Sequence, residues 1–432
     1  MYRALTIAGS DSVGGAGVQA DLKAFASLGV HGCSAITALT AQNTVSVDRI
    51  ETVSVDMIRA QLKSVLDDVE IGAAKTGMLF SPEIVDVVLE TFTDLDIPLV
   101  VDPVMVAGVG DSLSSEGLTE ALRSRLVPVC TLVTPNLYEA EVLANTKILN
   151  EDDAMRACEI IGREGNGVYL KGGHMDSEMV VDMLYYGSEF LRFQYPRLPP
   201  AGHGGGCTLS AFITGYLAKG NDLISAVRSA REDIQSSIAT MYTVGRGVKV
   251  TNPMIAIQRA AEAIDVVEEV SRYARSLIHF LPPEWIPEKG CDLAFALPVA
   301  RGPHDVALLE TRIVKVHDEP WMGRGVTFGE DGDFANIVLS AMRHDPKMRA
   351  AMSVRFDRSL IDTMEEMGLT ISPLSKIYDE GVENTDIFYR KSEYEEDLPD
   401  VVFEYDKPGK ESIIVILGHT PGDVFNKISL LL

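Results

Sequence analysis

The first half of the chain alternates short, fully apolar runs with segments of helical period, and this alternation restricts its fold more than any other feature. LTIAG (5–9) precedes GVQADLKAFASLG, and IGAAKTGML (71–79) precedes PEIVDVVLETF; IPLVVDPVM (97–105), CTLVTPN (130–136) and GVYLKGG (167–173) follow at similar intervals. Strands that are apolar throughout, spaced by amphipathic helices, are what a parallel sheet covered on both faces requires. The expected class is therefore α/β. A helical pattern starts at Cys207 and, with a further helix, runs to about residue 243; VGRGVKVTNP (244–253) then reads as a connector. The sequence predicts two domains, 1–250 and 251–432. The second opens with a helix over about 254–278 and continues with strands at 291–298, 306–316, 350–356 and 412–418 and helices near 334–344 and at the end. It reads as a smaller α/β or α+β domain.

A chain of 432 residues with 46% apolar and 23% charged residues can bury two cores. Its 38 basic against 63 acidic residues give a formal charge of −25. That charge repels phosphate backbones and anionic lipid, so neither nucleic acid nor a membrane is expected as a partner. The amino terminus lacks the pattern of an export signal, and no run has the apolar length of a membrane span. Five scattered cysteines fit neither a disulfide framework nor a CxxC metal site. A reducing cytoplasm is the expected compartment.

Three turns carry candidate chemistry. In AGHGGGCTLSAF (201–212), three glycines and Cys207 open a helix. Converging N–H groups and the helix dipole there can hold a phosphate's charge, and the same field is expected to lower the pKa of the thiol. Cys207 could then take a proton from a hydroxyl nucleophile; a packed cysteine after a flexible turn is the alternative. AGSDSVGGAGVQADL, between the first strand and helix, matches neither common nucleotide fingerprint and can be a tight connection only. In TPNLYEAE (134–141), Asn136 and Glu139 share a helix face, where the carboxylate could hold magnesium; the same pair is also an ordinary capping box.

Taken together, AGSDSxGGAGxQADLK, TALTAQNT, AKTGML, DPVMVA, TPNxxEA, KGGH and HGxGCTLSA, in this order, resemble the hydroxymethylpyrimidine and hydroxymethylpyrimidine-phosphate kinases of thiamine biosynthesis, within the ribokinase-like superfamily. The resemblance implies a ribokinase-like, mostly parallel sheet flanked by helices, ATP as co-substrate and Mg2+ as cofactor. It places the pyrimidine among Gly9, Ala16, Gln42, Met78 and Val104, with Gln42 pairing to the aminopyrimidine edge. It makes Cys207 the catalytic residue and Gly204, Gly205 and Gly206 the anion hole. Asn136 and Lys171 fall on the nucleotide side, with Glu139 and Asp102 near the metal. A homodimer is implied.

Several positions depart from the pattern. The family's Asn-Thr-His-Gly-Thr-Gly-Cys is here Ala201 to Cys207 with two threonines lost, and the lysine and serine after DPVMVA are Gly108 and Val109. Residues from about 270 to 432 resemble the archaeal type of thiamine-phosphate synthase. The pieces are EKGCDLAFALPVARGPHDVA, TRIVKV, VTFG, LSAMRHDPKMRAAMSVRFD, PDVVFEYDKPGKE and VILGHTPGDVFNK. That resemblance implies that thiazole phosphate condenses with the pyrimidine diphosphate, and it makes Arg312 and Arg355 candidates for holding the departing pyrophosphate. An ion-pairing or surface arginine is the alternative for each. Asp333 and Asn336 stand where that family has a histidine and an arginine, and Glu330 and Asp331 add two acids. A thiamine-phosphate-binding or assembly domain is the competing expectation, and His419 is a candidate substitute for the missing histidine.

Overall fold

The computed structural model describes residues 1–105, 116–172, 179–198, 202–323, 325–329, 332–373, 398–404 and 411–432. Gly108, Val109, Ala201, Glu330, Asp331 and the second half of the KGGH motif lie outside the described residues. The chain divides into two compact units, Met1–Ile257 and Gln258–Leu432.

The first unit is built on nine strands: β1 (Tyr2–Asp11), β2 (Val30–Gln42), β3 (Val47–Thr52), β4 (Ala73–Thr76), β5 (Leu99–Val101), β6 (Leu132–Val133), β7 (Gly167–Leu170), β8 (Met179–Tyr186) and β9 (Glu189–Pro196). Their order across the sheet is β3-β2-β1-β4-β5-β6-β7-β8-β9. Pairing is parallel from β2 through β7. It is antiparallel where β3, β8 and β9 extend the edges. The expected mostly parallel sheet is thus present, with antiparallel edges the sequence did not show: hairpins add edge strands without a crossover helix, so they leave no strand–helix alternation to read.

Because side chains alternate across a strand, the central strands feed two cores. Leu5, Ala74, Val101, Val133 and Val168 join one core, which includes Ile58, Leu62, Ile84 and Val88 from helices Val55–Leu66 and Pro82–Phe92. Their neighbours Ala4, Ala73, Val100, Leu132 and Tyr169 join the other, with Phe25, Phe212, Ile213, Val227 and Ile234 from helices Gly17–Ser27, Gly205–Ala218 and Leu223–Ala239. Helices therefore cover both faces. The segment expected as a connector is tied into this unit instead: His203 N–H donates to the Lys249 carbonyl at 2.8 Å, and Val250 exchanges hydrogen bonds with Tyr242.

The second unit holds a seven-stranded, mostly antiparallel sheet whose spatial order is Val326–Phe328, Val306–Leu309, Leu293–Ala296, Ala350–Arg355, Ile413–Gly418, Val401–Glu404 and Ile371–Pro373. The same alternation recurs. Leu293, Phe295, Met352, Ile414 and Ile416 pack with helices Ile255–Leu277, Arg358–Glu366 and Pro421–Ser429, while Ala294, Ala351, Val415 and Leu417 pack with helix Asp333–His344. The strand expected over 306–316 is two strands, Val306–Leu309 and Val314–Val316. The polar run Glu310–Arg312 breaks it, and Ile313 turns back to bridge Cys291.

Candidate active site

The carboxyl ends of parallel strands in an open α/β sheet are where backbone groups and loops leave room for a ligand. A cavity of about 220 Å3 opens there. The loops after β1, β2, β4, β5, β6 and β7 line it, and the turn at Gly202–Cys207 closes it. Gly9, Ala16, Gln42, Met78, Val104, Asp102, Asn136, Glu139, Lys171, Gly204, Gly205, Gly206 and Cys207 all face this one space. Residues separated by more than a hundred positions thus meet because strand order, not chain order, sets neighbours.

Gly204 caps the Gly205–Ala218 helix in a left-handed conformation, φ 90°. A Cβ there would lie 1.8 Å from the Gly15 carbonyl oxygen, so only glycine lets the two glycine-rich turns abut. The first turn is therefore more than a tight connection. The helix has no acidic residue in its first turn, which leaves its positive N-terminal field uncompensated beside Cys207. Gly206 keeps the approach to Lys171 open, since a Cβ on it would come 3.3 Å from Nζ.

The expectation for the thiol is overturned. Burial pushes Cys207 up to about 12 and outweighs the Lys75 charge and the Gly17 N–H, while Asp102 and Asp21 push the same way as burial. A helix N-terminus stabilises a thiolate by a fraction of a charge, whereas removal from water opposes a full one. Cys207 is a neutral thiol in the free protein.

Charges around it are arranged in two groups. Lys75 and Asp21, both fully buried, form an ion pair at 2.8 Å, and Thr6 Oγ1 donates to Asp21 at 2.6 Å. Burial works against the Lys75 charge, but the Asp21 carboxylate and then that of Asp102 outweigh it and hold the lysine protonated. Asp102 accepts from Lys171 Nζ and Thr134 Oγ1, each at 3.2 Å, and Lys171 Nζ stands 3.9 Å from Glu139. Burial and the Asp102 charge raise Glu139 to about 7 against the pull of Lys171 and the Asn136 N–H. The Asn136–Glu139 capping box is present, with both hydrogen bonds at 2.8 Å. The cap and the cavity thus use the same two residues. One ammonium faces two carboxylates, and that deficit of positive charge suits a divalent cation arriving with phosphates. Among the described residues no group of three or more His, Cys, Asp or Glu could hold a metal by itself.

Sequence reasoning did not single out Lys75, Asp21, Asp11 or His203. A lysine inside the buried strand AAKT and an aspartate on the apolar face of GVQADLKAFAS are the signals that could have found the ion pair. In the second unit, Arg312 is the ion-pairing arginine, donating from Nε to Asp292 at 2.9 Å. Arg355 is exposed and lines a separate open groove with Glu284, Glu288, Lys315 and Asp318, which Arg312 does not join. Asp333 is the first residue of its helix, and His419 pairs with Asp345 at 3.4 Å.

Residues 11–252, more than half of the chain, match the phosphomethylpyrimidine kinase family. The chain belongs to that family. A hydroxymethylpyrimidine/phosphomethylpyrimidine kinase of Streptomyces coelicolor is 44% identical over 246 residues, covering 56% of this chain and 91% of the relative. The bifunctional thiamine biosynthesis protein ThiED of Geobacter sulfurreducens is 42% identical over 257 residues; the match spans 59% of this chain but only 52% of that protein. A pyridoxal kinase of Staphylococcus aureus, solved with AMP-PCP and pyridoxal, superposes with a TM-score of 0.55 at 35% identity over 60% of this chain and 95% of its own. The phosphomethylpyrimidine kinase of Clostridium difficile superposes at 0.50 with 41% identity over 55% of this chain and all of its own. Residues 269–429 match the thiamine-phosphate synthase ThiN family. The protein thus joins a ribokinase-like kinase domain of thiamine biosynthesis to a smaller domain similar to ThiN. No helix among the described residues is long and apolar enough to cross a membrane.

Proposed function

We propose that the first domain phosphorylates hydroxymethylpyrimidine and then its monophosphate, giving the diphosphate. The convergence of every predicted kinase residue on one cavity at the strand ends carries this reading. Gly9, Ala16, Met78 and Val104 shape the pyrimidine end, and Gln42 hydrogen-bonds its amino edge. Asn136 and Lys171 take the nucleotide phosphates. Glu139 and Asp102 hold Mg2+, which supplies charge neutralisation at the phosphates. The N–H groups of Gly204, Gly205 and Gly206 face the transferred phosphoryl group, and Lys75 and Lys171 add two fixed positive charges. The hydroxymethyl oxygen forms its bond to the γ-phosphorus as the bond to ADP breaks, and its proton goes to the Cys207 sulfur. Because Cys207 is neutral in the free protein, it must first lose its own proton to solvent before it can take the hydroxyl's, and the Lys75 ammonium and the Gly17 N–H are the groups that stabilise the thiolate so formed. The same reading takes residues 1–250 as the kinase domain, 251–432 as the second, and the protein as a cytoplasmic homodimer.

The direct test supplies Mg-ATP and hydroxymethylpyrimidine and follows mono- and diphosphate by chromatography. Wild type is expected to form both, and Cys207→Ala to lose about a hundredfold or more in kcat with its melting temperature nearly unchanged. Unconverted monophosphate with wild-type protein refutes the assignment.

For the second domain, the arginine geometry favours a thiamine-phosphate-binding or assembly role over synthesis. Arg312 is engaged by Asp292, and in its groove Arg355 with one lysine, Lys315, faces three acids, Glu284, Glu288 and Asp318, where a diphosphate would need an excess of cations. With thiazole phosphate added to the assay, diphosphate should accumulate without thiamine phosphate. Formation of thiamine phosphate would restore the synthase reading.

A further inference from the structure

His203 connects the two glycine-rich turns to Gln42. It is 5% exposed and faces the cavity. Its backbone is held on both sides, donating to Lys249 O at 2.8 Å and accepting from the Thr251 N–H at 3.1 Å. Its ring lies against Gly15 so closely that a Cβ there would meet the ring at 2.6 Å. Ring nitrogen Nε2 is 2.9 Å from Asp11 Oδ2 and also 2.9 Å from the Gln42 amide nitrogen.

Donor and acceptor counting decides what this junction must be. Asp11 accepts from the N–H groups of Val13, Gly15 and Ala16. Burial alone would raise its pKa, but the His203 and backbone hydrogen bonds lower it overall, so it is an ionised, acceptor-only group. His203 Nε2 therefore carries a hydrogen and points it at Asp11, whether the ring is neutral or charged. That nitrogen then has no lone pair for an amide N–H. A second conflict lies at the other end of the amide, where Thr40 Oγ1 is 3.0 Å from the Ser10 carbonyl and 3.3 Å from Gln42 Oε1. The hydroxyl hydrogen goes to the nearer Ser10 carbonyl, which leaves Thr40 Oγ1 an acceptor toward the amide. The two ends of an amide are nearly isosteric, and a half-turn replaces the donor-to-donor and acceptor-to-acceptor contacts: Oε1 takes the second arm of a three-centre bond in which His203 Nε2–H is shared with Asp11 Oδ2, and the NH2 donates to Thr40 Oγ1.

We infer that His203, oriented by Asp11, is a positioning residue that fixes the direction of the Gln42 amide and thereby sets which heterocycle edge the cavity accepts. This rests on the reading of Gln42 as the pyrimidine contact. With its direction set, the amide offers one remaining carbonyl lone pair and one remaining N–H in fixed order. An amino group beside a ring nitrogen matches that order; a heterocycle without the amine leaves the carbonyl unpaired, which a closed site penalises strongly.

The test is steady-state kinetics on the full chain with Mg-ATP and hydroxymethylpyrimidine for His203→Leu, His203→Gln, Gln42→Ala and the His203→Leu/Gln42→Ala double variant. His203→Leu is expected to raise the pyrimidine KM about tenfold while the ATP KM stays within about twofold. His203→Gln, which returns an N–H near the same place, should recover most of the loss. The double variant should be no worse than Gln42→Ala alone, because a positioning residue has nothing left to position. If the two losses multiply, or His203→Leu raises the ATP KM equally, the positioning role is wrong while the Gln42 contact stands. If Gln42→Ala leaves the pyrimidine KM unchanged, the Gln42 reading itself fails and takes this one with it. Should His203→Leu not fold, His203→Asn, too short to span Asp11 and Gln42, replaces it with the same expectations.

Discussion

A thiol at a helix N-terminus is usually read as an activated one, and Cys207 shows when that inference fails. The field favouring its thiolate comes from a few amides and Lys75, while burial and two carboxylates oppose it and prevail. At pH 8 a thiol of pKa near 12 is about one part in ten thousand ionised, against roughly a quarter for an exposed cysteine. Iodoacetamide should therefore label Cys207 in the ligand-free protein about a thousandfold more slowly than free cysteine, and the rate should climb with pH past 10; mass spectrometry of the peptide reads it. Asp11 titrates in the opposite direction. Its folded pKa lies below 3.8, so its hydrogen bonds contribute stability that is present above that value and lost as pH falls through the folded one. The melting-temperature gap between wild type and Asp11→Asn should accordingly be widest near neutrality and narrow as the pH falls below 3.8.

Among the elements, the strand AAKT and the helix GVQADLKAFAS owe their alignment to the Lys75–Asp21 pair as well as to apolar packing. Neither charge reaches water, so removing one leaves the other unpaired. Lys75→Met is expected to destabilise by about 3–5 kcal/mol in urea unfolding, and adding Asp21→Leu should recover much of that without restoring the lost positive charge at the cavity. The elements themselves were largely legible, because the central strands are apolar on both sides and the helices are amphipathic. Edge hairpins β3, β8 and β9 were not, since half-exposed antiparallel strands carry a weaker pattern. The apparent strand over 306–316 misled for another reason: β-branched residues resume after the polar run Glu310–Arg312, and only the pairing of Ile313 with Cys291 reveals that the chain turns back there.

At the scale of the whole molecule, every residue of the kinase cavity and both cores beneath it fall within Met1–Ile257. A fragment of residues 1–257 should therefore fold and phosphorylate hydroxymethylpyrimidine with a kcat within about threefold of the full chain, as circular dichroism and the same assay would report. The sequence alone determined the two-core layering, the strand ends on which a site could form, and the ordered motifs naming the kinase residues, because these depend on local periodicity and residue type. Tertiary structure decided the protonation of Cys207, the capture of Arg312 by Asp292, and the junction of Asp11, Gln42 and His203. Those depend on burial and on neighbours up to 192 positions apart, and neither is written in any local window of the chain.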